Sequence, residues 1–580
     1  MIFYTCKNRE KETGKLLPCT NTRCETSICP TCGGRTEAIS VIYWCSQCQI
    51  PLYEEQCSLC GQTGKRLTTD IRPVFPEERL LLEIIMGKPF SYQKHSVWNG
   101  AGNHYYVNGH KISFSVNSLK NLDSDLIRQQ YEELKNQNTD IFFNVFQKKF
   151  VQANISRYKK IVEEANSFIR ENTVNIDVMD MFVSFSGGKD STVTADLVTR
   201  ALSNAKIMHI FGDTTLEFPF TYEYIRRFRV KHPKTPIISA RNKDKEFEEL
   251  CRLVGPPSRV MRWCCTIFKT GMIQKKIKSL FREKNQILTF YGIRRSESVN
   301  RNKYDRKSDS PKITKQKIIS PIIDWMDFDV WLYLLTTGID FNDAYRLGYA
   351  RVGCWCCPNN SGWSEFLSFV HMPEQSKRFQ QLLVEFAESI GKKDAKEYVK
   401  EGGWKARQGG NGIPYAQKSV VSFKPCVTEE NTFYYELQKP ISKELYELFR
   451  PIGYLNFEMG NTRLGEVYIM NQKGEILLKL QGRIGSKELK VTIINVAIAG
   501  AKDLKTAEER MKCQITKYQM CLGCLACESV CRYNALTIKE QKNGDIIYQI
   551  SEEKCVRCGQ CINHFHSGCY MRKVLTIKRT

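Results

Sequence analysis

"MFVSFSGGKDSTVTADLV", Met181 to Val198, is the stretch whose reading decides the fold. Met181, Phe182, Val183 and Phe185 make a short apolar run that reads as a buried strand, while Val193, Leu197, Val198, Ala201 and Leu202 recur at helical spacing. Ser186, Gly187, Gly188, Lys189, Asp190 and Ser191 therefore fall on a strand-to-helix turn. Glycines there let backbone N–H groups close on a ligand, and a helix N-terminus adds unpaired donors and a positive dipole end, which together favour phosphate. Lys189 contributes a full positive charge. The competing reading is a plain turn in which Ser191 or Asp190 only caps the helix. Either way the turn is expected to be exposed. It is not a Walker A loop, because GxxxxGK[ST] is absent.

Outward from this turn, strand-like runs ("KIMHIF", "ILTFYGI") alternate with helix-like ones, the pattern of a parallel α/β sheet. The chain has 580 residues and divides by composition into five parts: a cysteine-rich 1–68, a small mixed section 69–150, the α/β part 151–410, a β-rich 411–510 and a second cysteine-rich end, 511–580. "EVYIMNQKGEILLKL" in the fourth part predicts a hairpin turning at Gln472, Lys473 and Gly474. No run of about eighteen apolar residues predicts a membrane span, and no apolar leader opens the chain, so a cytoplasmic protein without membrane contact is expected. The formal charge of +24 points to an anionic substrate or a polyanionic partner such as RNA or DNA.

The loop "SFSGGKDS" closely resembles the pyrophosphate-binding loop of the adenine nucleotide alpha-hydrolase superfamily, which includes ATP pyrophosphatases and the PAPS reductase family. "FGDTTLEFP", "RWCCTIFK", "YGIRRSESVNR", "SPIIDWMDFDVWLYL" and "VGCWCCP" match that family in order, over about a third of the chain. The resemblance implies that Ser186 to Ser191 hold the phosphates of ATP or a sulfonucleotide with Mg2+, that Lys189 and Asp190 act in catalysis, and that Arg294 and Arg295 contact a phosphate or sulfate. Asp213 joins them on position, at a strand end where open α/β sheets place ligand groups.

Of 25 cysteines, nine precede residue 61 and nine follow residue 512, and in a large chain with CxxC spacings such numbers suggest metal rather than disulfides. "CLGCLACESVC" and "CVRCGQCINHFHSGC" carry the bacterial ferredoxin spacing, in which three cysteines serve one cluster and the fourth serves the other. Cys521, Cys524, Cys527 and Cys569 are thus assigned to one [4Fe-4S] cluster and Cys555, Cys558, Cys561 and Cys531 to a second. Arg532 stands where proline is usual. In the α/β part, the pair Cys264 and Cys265 with the CxxC of Cys354 and Cys357 resembles the [4Fe-4S] ligand set of APS reductases and of the nucleotide-activating enzyme of DNA phosphorothioation, with zinc as the alternative. Cys356, inside that CxxC, is a candidate reactive thiol, and Cys251 has no assignment. Cys45, Cys48, Cys57 and Cys60 form two knuckles of a zinc ribbon, and Cys29 and Cys32 form a third that needs two partners among Cys6, Cys19 and Cys24.

Within the resemblance, a complete loop implies enzymes that cleave ATP between the α- and β-phosphates, adenylating a substrate whose oxygen sulfur then displaces. Sulfonucleotide reductases instead attack sulfate with a tail cysteine in Glu-Cys-Gly-Leu-His, and the sequence shows "MRKVLTIKRT" in that place. An ATP-dependent iron–sulfur sulfur-transfer enzyme acting on nucleic acid is the first expectation. A PAPS or APS reductase fed with electrons by its own ferredoxin is the second, and a non-enzymatic redox sensor the third. The sulfur donor or electron donor is a partner in either enzyme reading.

Overall fold

The computed structural model describes residues 36–580 apart from 282, 283, 285, 299, 300, 310–315, 419, 420, 542–544, 564–568 and 578–580, and the backbone of the strands Ile2–Cys6, Asn8–Arg9 and Leu16–Leu17. Cys19, Cys24, Cys29 and Cys32 lie outside the described residues.

A six-stranded sheet forms the centre. Its strands are β1 (Met181–Ser184), β2 (Met208–Asp213), β3 (Ile237–Arg241), β4 (Ile287–Tyr291), β5 (Lys307–Asp309) and β6 (Gln316–Ile319), in the order β3-β2-β1-β4-β6-β5. All neighbours are parallel except the edge pair β5 and β6. Parallel strands need both faces covered, and β4, "ILTFY", is buried along nearly its whole length. Covering helices include α1 (Lys189–Ala201), α2 (Pro219–Lys231), α3 (Phe247–Val254), α4 (Gly271–Leu280) and α5 (Asp327–Thr337). Val193, Leu197 and Val198 of α1 are fully buried, as the helical spacing requires. The strand order reverses between β1 and β4, so the loops leaving these two strands flank the crevice where open α/β sheets bind ligands.

The described part of the cysteine-rich start, from residue 36 on, is packed against the rest of the chain. Its three-stranded ribbon (Ile42–Cys45, Ile50–Leu52, Lys65–Thr68) shares one apolar core with Trp98, Phe150 and Phe328 of α5. Asn154 clasps it, accepting from the Tyr53 N–H at 2.8 Å and donating to the Pro51 carbonyl at 3.1 Å. A four-stranded antiparallel sheet follows, with a buried Arg72–Glu78 pair at 2.6 Å beneath it.

Beyond the α/β part, the strands Ser422–Pro425, Thr432–Glu436, Glu488–Ile493, Ile476–Gln481, Glu466–Met470 and Tyr454–Asn456 build an antiparallel sheet, and the expected hairpin turns at Gly474, whose φ of 84° suits glycine. The cysteine-rich end carries a helix, Leu504–Met520, and a hairpin, Leu536–Glu540 with Ile546–Ile550. One continuous apolar core runs from Trp263 and Phe268 through Leu478 and Val491 to Met511, Cys524 and Val574. Among the described residues, no helix is long and apolar enough to cross a membrane.

Candidate active site

The turn after β1 has the shape its sequence requires. Gly187 sits at φ +72°, and a Cβ there would press on Thr221 at 3.0 Å. Gly188 is the N-cap of α1 and offers no side-chain cap, so the first turn keeps donors for a ligand. The Ser186 and Ser191 hydroxyls face each other at 3.1 Å, and Ser191 Oγ donates to the Gly188 carbonyl at 2.9 Å, which closes the loop on itself. From the other side of the crevice, the strand-exit residue Gly292 packs so tightly on α1 that a Cβ would stand 2.5 Å from the Asp190 carbonyl oxygen.

The expectation of an exposed turn fails at the charged residues. Lys189 is only 4% exposed. Its Nζ lies 3.3 Å from Asp190 Oδ2 and 3.2 Å from Asp327 Oδ1, and donates to the Ala350 carbonyl at 3.4 Å. Arg294, equally buried, pairs through Nε with Asp190 at 2.5 Å and through Nη2 with Asp327 at 2.8 Å. Burial alone would raise the Asp190 carboxyl, but Arg294 and Lys189 outweigh it and hold it at about 2. Two cations and two carboxylates thus form a closed square beneath the loop. Arg295 lies apart at the rim, paired with Asp324 and donating to the Tyr304 carbonyl. Asp213 ends β2 next door, where its Oδ1 accepts from the Thr215 N–H at 3.0 Å and the Tyr222 hydroxyl at 2.8 Å. With Asp190 committed to two cations, the donor set suits a magnesium ion carried on a nucleotide's own phosphates better than one held by the protein alone.

Sequence reasoning missed two members of this site. Asp327 sits inside the matched segment "SPIIDWMDFDVWLYL" but was not singled out, and Tyr345, whose hydroxyl accepts from the Lys189 N–H at 2.9 Å, carries no motif signal.

The loop that meets Lys189 at Ala350 runs directly into Cys354. Cys354 bridges to Glu217 across a short antiparallel contact, and its Sγ stands 3.5 Å from Thr214 Oγ1, beside the end of β2. Cys265 opens a π-helical turn, Cys265–Thr270, a feature frequent at functional sites. Cys264, Cys265, Cys354 and Cys357 face one another closely enough to interact electrostatically. Burial lowers the charged form of the neighbouring Lys269, but Glu217, Cys354 and Cys265 more than restore it. Cys356 lies among the same thiols, near Cys354 and Cys357 as well as Cys251, and is buried in the apolar core, where burial pushes its thiol well above the usual range.

At the C-terminal end the assigned cysteines lie close together, with Cys558 exposed and Cys561 near Cys527 of the first set as well as its own partners. Cys521, Cys524 and Cys527 interact with Cys569, and Cys555 and Cys561 with Cys531. Burial raises the Cys521 and Cys561 thiols to about 12. Tyr548 donates its hydroxyl to Cys521 Sγ at 2.9 Å. Between the groups lies Lys517, 2% exposed, its Nζ on the Cys561 carbonyl at 2.7 Å. Burial opposes its charge, and Cys513, Cys527, Cys561 and Cys569 overcome that opposition only as thiolates, the form in which cysteines ligate metal. A buried ammonium ringed by sulfur fits anionic iron–sulfur clusters. Lys517→Met is therefore expected to make both clusters harder to reduce, on the order of 60 mV, a tenfold change in a one-electron equilibrium. An EPR-monitored redox titration checks this, and unchanged potentials would contradict it.

This dicluster part is docked on the CC pair. Gly271, one residue past the π-turn, has the Cys524 carbonyl 3.2 Å and Leu525 Cβ 3.3 Å from where its own Cβ would be. Gln274 and Lys278 of α4 donate to the Ser529 and Glu528 carbonyls at 2.9 and 3.2 Å. Tyr570 interacts with Cys264, Cys265 and Cys524 together.

The ribbon cysteines are the tightest set. Among the described residues, the sulfurs of Cys45, Cys48, Cys57 and Cys60 all lie within 4.8 Å of one another, as a single tetrahedral zinc ion needs. A four-iron cluster is larger than one ion, so its thiolates stand further apart.

Sheet order, loop and cysteine groups define a phosphate-loop α/β protein joined to an iron–sulfur dicluster part. Residues 180–360 match the profile of the phosphoadenosine phosphosulfate reductase domain, and residues 520–564 that of the 4Fe-4S dicluster domain. An adenosine 5'-phosphosulfate reductase of Oceanobacillus iheyensis is 31% identical over 180 residues, 31% of this chain and 71% of that protein. The chain belongs to the phosphoadenosine phosphosulfate reductase family. An uncharacterized protein of Methanocaldococcus jannaschii is 32% identical over 213 residues, 36% of this chain, and the match spans 49% of that relative's length. A crystal structure of phosphoadenylyl-sulfate reductase from Candida auris aligns with 36% of this chain and 96% of its own, at 18% identity and a TM-score of 0.27.

Proposed function

We propose that the chain is an ATP-dependent, pyrophosphate-releasing sulfur-transfer enzyme with a nucleic acid as acceptor. The observation that carries this reading is the complete loop at the switch point: a left-handed glycine, two facing hydroxyls and a helix N-terminus whose N-cap glycine has no side chain, backed by buried Lys189 and Arg294. An acceptor oxygen attacks the α-phosphorus, the bond to the β-phosphate breaks, pyrophosphate leaves, and the acceptor's proton passes to solvent. Sulfur then displaces AMP. A hydrosulfide donor makes that step redox-neutral, whereas a persulfide donor needs two electrons to cleave its S–S bond. The dicluster part, seated on Cys264 and Cys265, is where such electrons would enter. The charge of +24 supports the nucleic acid acceptor.

The second reading, reduction of a sulfonucleotide to sulfite by two electrons from the same clusters, draws support from the docking of Cys524 near Cys265. Anaerobic turnover separates the two. Acceptor-stimulated pyrophosphate release from ATP is expected, without sulfite from APS or PAPS, and RNA or DNA binding should weaken as salt rises. Cutting the chain near residue 510 would strip Met511, Ile515 and Met571 from the shared core, so the clean variant is Cys555→Ser. It is expected to keep pyrophosphate release and lose persulfide-dependent sulfur insertion. Sulfite formation from APS or PAPS with no cleavage of ATP would decide for the reductase.

A further inference from the structure

Asp70 follows the last ribbon strand, Lys65–Thr68, and belongs to no motif. Its carboxylate reaches across 257 residues of sequence to the first turn of α5, where Oδ2 accepts from the Asp327 N–H at 2.9 Å and Oδ1 from the Phe328 N–H at 3.0 Å. The N-cap position of α5 is Met326, whose side chain has no oxygen, and the helix's own Asp329 reaches back only to the Met326 N–H, with Oδ2 at 3.1 Å. Asp70 therefore supplies from another part of the chain the acceptors for the next two donors, the Asp327 and Phe328 N–H groups, with its negative charge at the positive end of the dipole. The capped turn is the one that matters chemically: Asp327 Oδ1 receives Lys189 at 3.2 Å and Arg294 at 2.8 Å. Were this first turn to fray, Asp327 would leave both cations and the square beneath the phosphate loop would open.

We infer that Asp70 is a positioning residue for nucleotide binding, through which the zinc-type ribbon holds Asp327 against Lys189 and Arg294. The ribbon end is fixed in its turn: Cys45 closes the strand that pairs with Lys65–Thr68, and Ser40 Oγ donates to the Thr69 carbonyl at 2.8 Å. Burial, and then the nearby Asp327 charge, raise the Asp70 carboxyl to about 6, consistent with two carboxylates sharing the field of Arg294. The inference rests on the reading that the loop binds nucleotide phosphates.

The test is calorimetric titration of the full, anaerobically purified chain with ATP, and separately with adenosine, in wild type, Asp70→Ala and Asp70→Asn. A loss confined to the phosphate-bearing ligand distinguishes positioning of the cation square from general loosening of the fold. Asp70→Ala is expected to weaken ATP about tenfold or more, 1.4 kcal/mol or above, with adenosine affinity and iron content unchanged. Asp70→Asn keeps one acceptor oxygen and is expected to fall between, about threefold weaker. If Asp70→Ala does not fold, Asp70→Asn alone decides. ATP affinity equal to wild type in whichever variant folds, or an equal loss for adenosine, overturns the inference and leaves the nucleotide reading standing. Wild-type protein that binds none of ATP, APS or PAPS overturns both.

Discussion

Lys189→Ala should lose nucleotide turnover by on the order of 10²–10³-fold, the usual cost of removing a preorganised electrostatic partner of a reacting phosphate. It should also lose stability, because the side chain is not on an exposed turn. Lys189 is 4% exposed and neutralises Asp190 and Asp327 together with Arg294. Removing one member of a buried ion group leaves charge uncompensated at a cost of about 3–5 kcal/mol. The acid limb of stability should shift as well. Asp190 is held at about 2, below its usual value, so its contribution is complete above the ordinary carboxylate range and disappears as pH falls toward 2. Without Lys189 the Asp190 carboxyl moves up toward its unfolded value, so this contribution shrinks and its loss is complete at a higher pH. Turnover assays, thermal melts and a pH series of melts test the three parts, and wild-type turnover in Lys189→Ala would remove the loop from the chemistry.

The second large effect concerns metal. Two clusters in the C-terminal groups and one at Cys264, Cys265, Cys354 and Cys357 predict about twelve iron atoms per chain, at four per cluster, with zinc in the ribbon. Cys264→Ser should lower iron to about eight while leaving zinc in place. Eight iron atoms in both proteins would mean that the central thiols hold zinc or nothing. Cys356→Ser is the control, since that thiol lies in the apolar core and is expected to leave the count unchanged.

The central fold was readable because its determinants are local. The strand, loop and helix around Gly187 follow from consecutive residues, and CxxC spacing reports which sulfurs a short turn brings together. What escaped is long-range. Asp327, Tyr345 and Asp70 meet Lys189 or its partners only through the sheet and the docked ribbon, and no periodicity in the sequence marks such meetings. Arg294 and Arg295 show the same limit: adjacent in sequence and alike in type, one is buried in the ion square and the other lies at the rim paired with Asp324. Cys356 sits among the assigned ligands in sequence and in space, and only its deeper burial sets it apart from Cys354 and Cys357.

Lys517 carries a consequence for how the chain matures. Before clusters are inserted, the surrounding thiols are protonated at neutral pH, with Cys521 and Cys561 near 12, and cannot balance a desolvated ammonium. Without clusters the C-terminal part therefore holds a buried ammonium with little to balance it, and cluster insertion is expected to supply the counter-charge and stabilise the packing around Lys517. Cluster delivery then acts as a checkpoint in biogenesis. Because the same core continues to Trp263 and Phe268, a chain that misses delivery is left with a loosened seam beside the CC pair as well, and iron starvation should appear as accelerated proteolysis from the C-terminal side.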